Sequence, residues 1–454
     1  MRSVACLPVL GLLGLGCSWS RYDDVVGNSP IVLLNRPKQL NNGFGSSLAA
    51  AHVDDGATLL VGGTPLSSGG AEFTLGNGDA PIIEARDTGH CLGGPPCYFS
   101  SSPVALTGAK GPAEVRDLCF VDGGGRVESG DQGVVVRCTD DVEYALPVPD
   151  AVSELLDFSI SRQQPTLLRF GTDRAANAAV LATADEESAV WLYPSLSNQL
   201  VEVPNPADAK GRWRKSHERT LALARVGAEA RLLAVGEPDA GSVRLFYAED
   251  GRTPSYVGCL GGSASFGRAL ATGPVVPGDA EDELVISDAS RVFVFDAAKL
   301  ATLAPTSNTD CALAALPAGS LVTSFSCGST KNISDCASSE FGAALAVGDL
   351  DGDGDGEVVV GAPGMTVRHV ERAGALLIYD VEPSSGNLGR QLYDVLDIAF
   401  LSSAEQDDRL GSSVALPDLG DHQLLVAGAP GGGKAALFYC PSFLPPELAG
   451  GRCK

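Results

Sequence analysis

Apolar residues in this chain come in short runs separated by turns rich in Gly, Pro and Asp. One set is almost purely aliphatic: Leu59-Leu60-Val61, Leu232-Leu233-Ala234-Val235, Leu284-Val285-Ile286, Val358-Val359-Val360 and Leu424-Leu425-Val426-Ala427. A second set carries aromatics: Arg244-Leu245-Phe246-Tyr247, Val292-Phe293-Val294-Phe295, residues 375–379 and Ala436-Leu437-Phe438-Tyr439. A third uses small residues, as in Leu48-Ala49-Ala50, Leu221-Ala222-Leu223-Ala224 and Leu270-Ala271. Runs this short, bounded by turn signals, predict strands and not helices.

The three kinds of run recur in a fixed order. Counted by their starts, the copies begin near 44, 105, 155, 221, 266, 341 and 410, about 60 residues apart. The second and third copies are read largely from spacing, the third near residues 155–161 with its aromatic strand at Val190-Trp191-Leu192-Tyr193. In each copy the aromatic run is taken as the final strand. A unit of this size with four short strands cannot bury both faces alone, so it must stack on its neighbours. The expectation is an all-β chain: a β-propeller of about seven blades, each of four antiparallel strands. Six or eight blades are the alternative counts, and an array of unrelated β-sandwiches is the competing architecture.

One copy carries chemistry. Residues 341–363 read FGAALAVGDLDGDGDGEVVVGAP, with Asp349, Asp351, Asp353, Asp355 and Glu357 at every second position and glycines between most of them. Ca²⁺ takes six to eight oxygen ligands, so one loop must aim several carboxylates at one point. Alternate spacing on a curling, Gly-rich loop does this. Asp349, Asp351 and Asp353 would supply carboxylates, Asp355 a main-chain carbonyl, and Glu357 would close the shell. The opening resembles an EF-hand loop, but its twelfth residue is Val360 and a β-type run follows where a helix should begin. The competing reading is an acidic, solvated loop.

The whole segment resembles the FG-GAP repeat of integrin α-type β-propellers, whose ends here are Phe341-Gly342 and Gly361-Ala362-Pro363. Related ends occur at Phe44-Gly45 with Gly62-Gly63-Thr64-Pro65, at Phe266-Gly267, at Leu410-Gly411 with Gly428-Ala429-Pro430, and at Gly236-Glu237-Pro238. The resemblance implies a propeller, Ca²⁺ in its acidic loops, and a role in adhesion. It departs from that family in the number of filled loops. The first copy has His52 where Asp349 stands, the fifth keeps Asp279 and Glu283, and the last keeps Asp418 and Asp421. One strong Ca²⁺ site and at most one or two degenerate ones are expected.

Composition narrows the function classes. The net charge of −24, from 56 acidic and 32 basic residues, argues against nucleic acid and against electrostatic adhesion to anionic lipid. Arg2 followed by the mostly apolar residues 4–15 reads as an export signal, too short to span a bilayer as a helix. It runs into Leu13-Gly14-Leu15-Gly16-Cys17, which resembles the bacterial lipobox, with Gly14 in place of that family's Leu. That resemblance implies lipidation of Cys17, while an ordinary secretory signal is the alternative. Setting Cys6 and Cys17 aside leaves ten of the twelve cysteines, in neighbour pairs 91/97, 119/138, 259/311, 327/336 and 440/453. In an oxidising compartment short-range pairs of this kind become disulfides, although connectivity does not follow from sequence.

Other motifs are weaker. Residues 428–435, GAPGGGKA, approximate a phosphate loop but lack its hydroxyl and its helix, so a Gly-rich hairpin turn is expected. Asp157-Phe158-Ser159-Ile160-Ser161 looks like a von Willebrand A-type metal motif and reads better as a strand with serines outward. Arg212, Trp213, Arg214, Lys215 and His217 form a basic patch read as a solvated loop. Gly-x-Ser-x-Gly and H-E-x-x-H are absent from the sequence.

The organisation expected is a signal over 1–16, a lipid-anchored linker over 17–27, a propeller over 28–440 and a tail over 441–454. The protein would sit in the cell envelope as an outer-membrane lipoprotein, on its surface or periplasmic face, held by the lipid anchor. Its partner would be a protein or surface glycan, bound without turnover on loops such as 66–103, 198–218 and 302–340. A polysaccharide lyase or glycosidase, or a structural subunit of an envelope assembly, is the alternative. Residues 30–34 precede the first Phe-Gly and are expected to pair as a strand with the last copy.

Overall fold

A computed structural model describes residues between 31 and 438: continuously over 230–249, 254–279, 281–303, 338–351, 353–381, 405–419 and 423–438, and elsewhere chiefly the strands. The expected signal, Cys17, linker and tail lie outside the described residues, as do residues 155–161 and 212–217. Among the described residues no helix is long and apolar enough to cross a membrane.

The described chain is all-β with almost no helix. It forms seven antiparallel sheets of four strands and a two-stranded ribbon. Six of the sheets are built from consecutive strands, the ribbon interrupting one of them. In chain order their leading strands are Ser47–Val53, Pro103–Leu106, Thr166–Arg169, Thr220–Arg225, Leu270–Gly273, Leu345–Gly348 and, for the seventh, Ser413–Ala415. The third sheet thus leads with Thr166–Arg169, later than the stretch near 155 from which its copy was counted.

The aromatic runs prove to be third strands. Beyond Arg291–Asp296 lies a fourth strand, Leu321–Ser326, and beyond Ala375–Asp380 lies Gln391–Leu396. The fourth strand was hidden because it is the outermost and least buried. Arg291–Asp296 has one exposed residue and four buried, whereas Leu321–Ser326 has a single buried position, Phe325. Parts of the expected loops are therefore sheet: 302–340 holds Leu321–Ser326, 66–103 holds Gly70–Gly76 and Ile82–Asp87, and 198–218 holds Val201–Val203. The seventh sheet takes its fourth strand from the other end of the chain: Ile31–Asn35 runs antiparallel to Lys434–Phe438, with Ile31 opposite Phe438 and Asn35 opposite Lys434. The pairing expected of residues 30–34 is what the structure has.

Sheets stack face to face, which explains the uninterrupted apolar runs. In Glu357–Ala362, Val358 and Val360 join a core shared with Val285, Val294 and Phe325 of the fifth sheet. Val359, between them, joins Leu425, Ala427 and Ala436 of the seventh. Both faces are dry, so alternation of polar and apolar residues has no place there. Full burial of one such side chain contributes about 1.5–3 kcal/mol. The same kind of core joins the seventh sheet (Val426, Leu437) to the first (Leu59, Val61, Phe73). Each leading strand lies against the leading strands of the sheets before and after it in the chain, and Ser413–Ala415 lies against Ser47–Val53. These open sheets, in that series, are consistent with a β-propeller.

Candidate cation site

The acidic loop joins the first two strands of the sixth sheet, where Gly348 stands opposite Glu357. Between them the side chains of the loop organise its own backbone. Gly354 N donates to Asp349 Oδ2 at 3.0 Å, Asp353 N to Asp351 Oδ1 at 3.2 Å, and Asp355 N to Asp353 Oδ1 at 3.0 Å. Gly354 takes φ +99°, a conformation open to glycine and strained for other residues. The resulting curl brings one carboxylate oxygen each from Asp349, Asp351 and Asp353 to within 4.8 Å of one another. Asp349 and Asp351 are half-buried and Asp353 is exposed, so the cluster has a solvent side. Three hard oxygen donors with no nitrogen or sulfur among them suit Ca²⁺ or a similar hard cation.

The other two acids stand apart from that cluster. Glu357 is 1% exposed, and its Oε2 accepts from Leu350 N at 2.7 Å. Burial pushes its carboxyl up to about 9, against the Leu350 N–H, and the charges of Asp351, Asp349 and Asp353 add to the rise. Asp355 is raised too, first by burial and then by Asp353, while a hydrogen bond from the Gly278 backbone opposes the shift. Gly278 belongs to the corresponding connection of the fifth sheet. That connection reaches the loop a second time, through Gly356 N and Pro274 O at 2.6 Å.

The degenerate loops resolve differently. In the fifth sheet Glu283 accepts from Val275 N at 2.7 Å and Val276 N at 3.1 Å, and Asp279 Oδ1 accepts from Glu281 N at 3.1 Å. Asp418 pairs by backbone with Gln423, and Asp421 lies outside the described residues. Among the described residues Asp349, Asp351 and Asp353 are the group whose ligand atoms converge. The GAPGGGKA segment is a turn: Pro430–Gly432 is a short 3-10 helix, and buried Lys434 pairs with buried Asp408 at 2.8 Å. Its ammonium is committed inside the fold and cannot serve a phosphate.

At the opposite end of the sheets the Phe-Gly turns fasten neighbours together. Phe44, Phe266, Phe341 and Leu410 are buried, and the glycine after each has φ between +82° and +91°. Each of these glycines donates its N–H to the end of its own second strand: Gly342 to Gly361 O at 3.0 Å, Gly411 to Gly428 O at 3.0 Å. A Cβ on Gly361 would overlap the Gly411 carbonyl, and one on Gly428 the Gly45 carbonyl. The glycine of one Gly-Ala-Pro thus makes room for the Phe-Gly of the following sheet. Hydroxyls add to the joint: Thr220 Oγ1 donates to Gly267 O at 2.6 Å, Ser287 Oγ to Gly342 O at 2.7 Å, and Ser413 Oγ to Gly45 O at 2.8 Å.

Sequence reading missed several of these links because each joins residues from different copies. Glu340 bonds both Arg409, at 2.6 Å, and Arg268, at 3.4 Å, tying the fifth, sixth and seventh copies. Burial alone would raise the Glu340 carboxyl, but the two guanidiniums outweigh it and hold it below the usual range. Arg225 and buried Asp282 make a similar bond between fourth and fifth sheets, at 3.5 Å. Cysteine pairing was more legible. Cys259 and Cys311 form a disulfide, Cys327 is also disulfide-bonded, and Cys119 stands opposite Cys138 in adjacent strands.

An all-β chain of stacked four-stranded sheets with an acidic loop between first and second strands is the class that this geometry defines. Residues 341–379 match the family model of the FG-GAP repeat, a span that runs from the Phe-Gly turn through the acidic loop to the third strand. No curated protein matches the chain. Among solved structures, one titled "Crystal structure of BBS1N in complex with ARL6DN, soaked with mercury" is 11% identical, with a TM-score of 0.47 over 90% of this chain and 97% of that one. That likeness is too weak to bear on fold or function.

Proposed function

We propose that the protein is an exported β-propeller of seven blades, stabilised by Ca²⁺ and working without turnover as a recognition platform at the bacterial cell envelope. The observation that carries the cation part is the convergence of Asp349, Asp351 and Asp353 within the segment that matches the FG-GAP repeat. A divalent cation there would neutralise three crowded like charges and rigidify one connection. Because it binds the folded state, it stabilises by mass action, about 2.7 kcal/mol at a hundredfold excess over Kd. Support for a closed ring comes from the series of leading strands, which returns from Ser413–Ala415 to Ser47–Val53, and from the shared first and last strands of the seventh sheet. Loops around such a ring offer a face to a protein or glycan. Lipidation at Cys17 would anchor it.

Calorimetry with Ca²⁺ tests the cation. Asp351→Ala with Asp353→Ala is expected to abolish tight binding and the Ca²⁺-dependent rise in melting temperature. Unchanged affinity in that double variant would overturn the site. For anchoring, Cys17→Ser should move the protein from washed membranes to the soluble fraction, and its persistence there would mean another anchor. Incubation with a panel of envelope polysaccharides separates binding from catalysis: retention without new reducing or unsaturated ends supports recognition, and product release overturns it.

A further inference from the structure

Glu357 has a counterpart that explains its position without a cation. Glu283 also opens the second strand of its sheet, opposite Gly273 as Glu357 is opposite Gly348. Both are 1% exposed, and both use Oε2 to accept backbone N–H groups from the preceding connection. Among the described residues the fifth-sheet connection contributes no converging acidic group, and what Glu283 does there is hold backbone. A buried donor left without an acceptor costs about 1–3 kcal/mol, which is sufficient reason for a carboxylate at this place. The loop has a second fastening, to the 274–279 connection of the fifth sheet, where Gly356 N bonds Pro274 O at 2.6 Å.

We infer that the acids divide their work: Asp349, Asp351 and Asp353 take the cation, whereas Glu357 is a positioning residue that holds the loop to its own sheet, and the Gly356 backbone holds it to the 274–279 connection of the fifth. Ion loading is thereby coupled to the joint between fifth and sixth sheets, since the backbone that carries the three ligands is fastened across it. The affinity arm of this inference rests on the cation reading above, and the structural arm does not.

Amide and methyl substitutions separate the roles, because an amide oxygen still accepts an N–H but brings no charge to an ion. Calcium titration calorimetry and amide hydrogen exchange, with and without Ca²⁺, are compared for Glu357→Gln, Glu357→Ala and Asp351→Asn. Glu357→Gln should bind Ca²⁺ nearly as the parent does. Glu357→Ala should lose about 10–100-fold in affinity, the range seen when residues that orient ligands are removed. Without Ca²⁺, exchange should already be faster at Leu350 in Glu357→Ala. Asp351→Asn should lose binding with exchange at Leu350 unchanged. Loss of binding in Glu357→Gln as complete as in Asp351→Asn would overturn the division. If the parent takes up no Ca²⁺, the cation reading fails alone. The frame is then judged by exchange without Ca²⁺, and unaltered protection of Leu350 in Glu357→Ala would overturn it.

Discussion

Gly411→Ala tests whether the Phe-Gly type turn is required by close approach between sheets or by backbone angle alone. Gly411 has φ +88°, and a Cβ there would lie 2.8 Å from the Ala375 carbonyl oxygen and 3.1 Å from the Ala362 nitrogen. Both are backbone atoms of the sixth sheet, inside buried strands, so neither can swing aside. Holding an L-residue in the left-handed region costs about 1–2 kcal/mol, and forcing a methyl into a packed interior adds about 1–3 kcal/mol. Together they predict a loss of about 2–5 kcal/mol. Gly319 provides the control. Its φ is +77°, yet the nearest atom to a Cβ is the flexible Lys299 Nζ at 3.7 Å, so Gly319→Ala should show the backbone cost alone. Equilibrium urea unfolding of the parent and both variants, at one pH and saturating Ca²⁺, measures the difference. An unfolding midpoint for Gly411→Ala equal to that of Gly319→Ala would refute the argument that the glycine exists to admit the neighbouring sheet.

Three further outcomes are expected. Burial pushes Glu283 up to about 7 from 4.5, against the Val275 and Val276 N–H groups, with Asp279 and Asp296 adding to the rise; the fold therefore binds a proton that the unfolded chain has released. Its contribution falls as pH rises from about 4.5 through 7, by at most on the order of 3 kcal/mol, so Glu283→Gln should flatten the stability profile in that window and an unchanged slope would count against it. Deleting residues 31–35 strips Lys434–Phe438, buried throughout, of its outer partner; size-exclusion chromatography should then show association through the exposed edge, and a stable monomer of parental stability would contradict that role. Replacing Cys259 and Cys311 by Ser opens a link spanning 52 residues, for which loop-closure entropy predicts a loss of about 4 kcal/mol; denaturant midpoints of the variant and of the oxidised parent decide it.

How much of this was legible in the chain depends on where each residue spends its contacts. The second and third strands were plain in sequence, because both faces are buried and physics leaves room for little but apolar side chains, as in Val358-Val359-Val360. Turn positions were plain too, since glycines such as Gly342 and Gly411 take backbone angles that other residues avoid. The acidic triad could be read from spacing, being a local property of one curling loop. The fourth strands could not, for Leu321–Ser326 is largely half-exposed and carries no strong pattern.

What tertiary structure alone decided was the use of the remaining polar groups. Nothing in the spacing distinguishes Glu357 from Asp349, Asp351 and Asp353, which lie before it at alternate positions. Only the fold sets its carboxylate in the interior against Leu350 N, while theirs converge toward solvent. Glu340, between Arg268 and Arg409, acquires its partners from copies about 70 residues away on either side. Sequence period determines which faces are apolar, because that follows from strand geometry and the avoidance of water. Which charges meet across those faces is decided when the sheets stack, because electrostatic and hydrogen-bond partners depend on distances in space that a one-dimensional pattern does not encode.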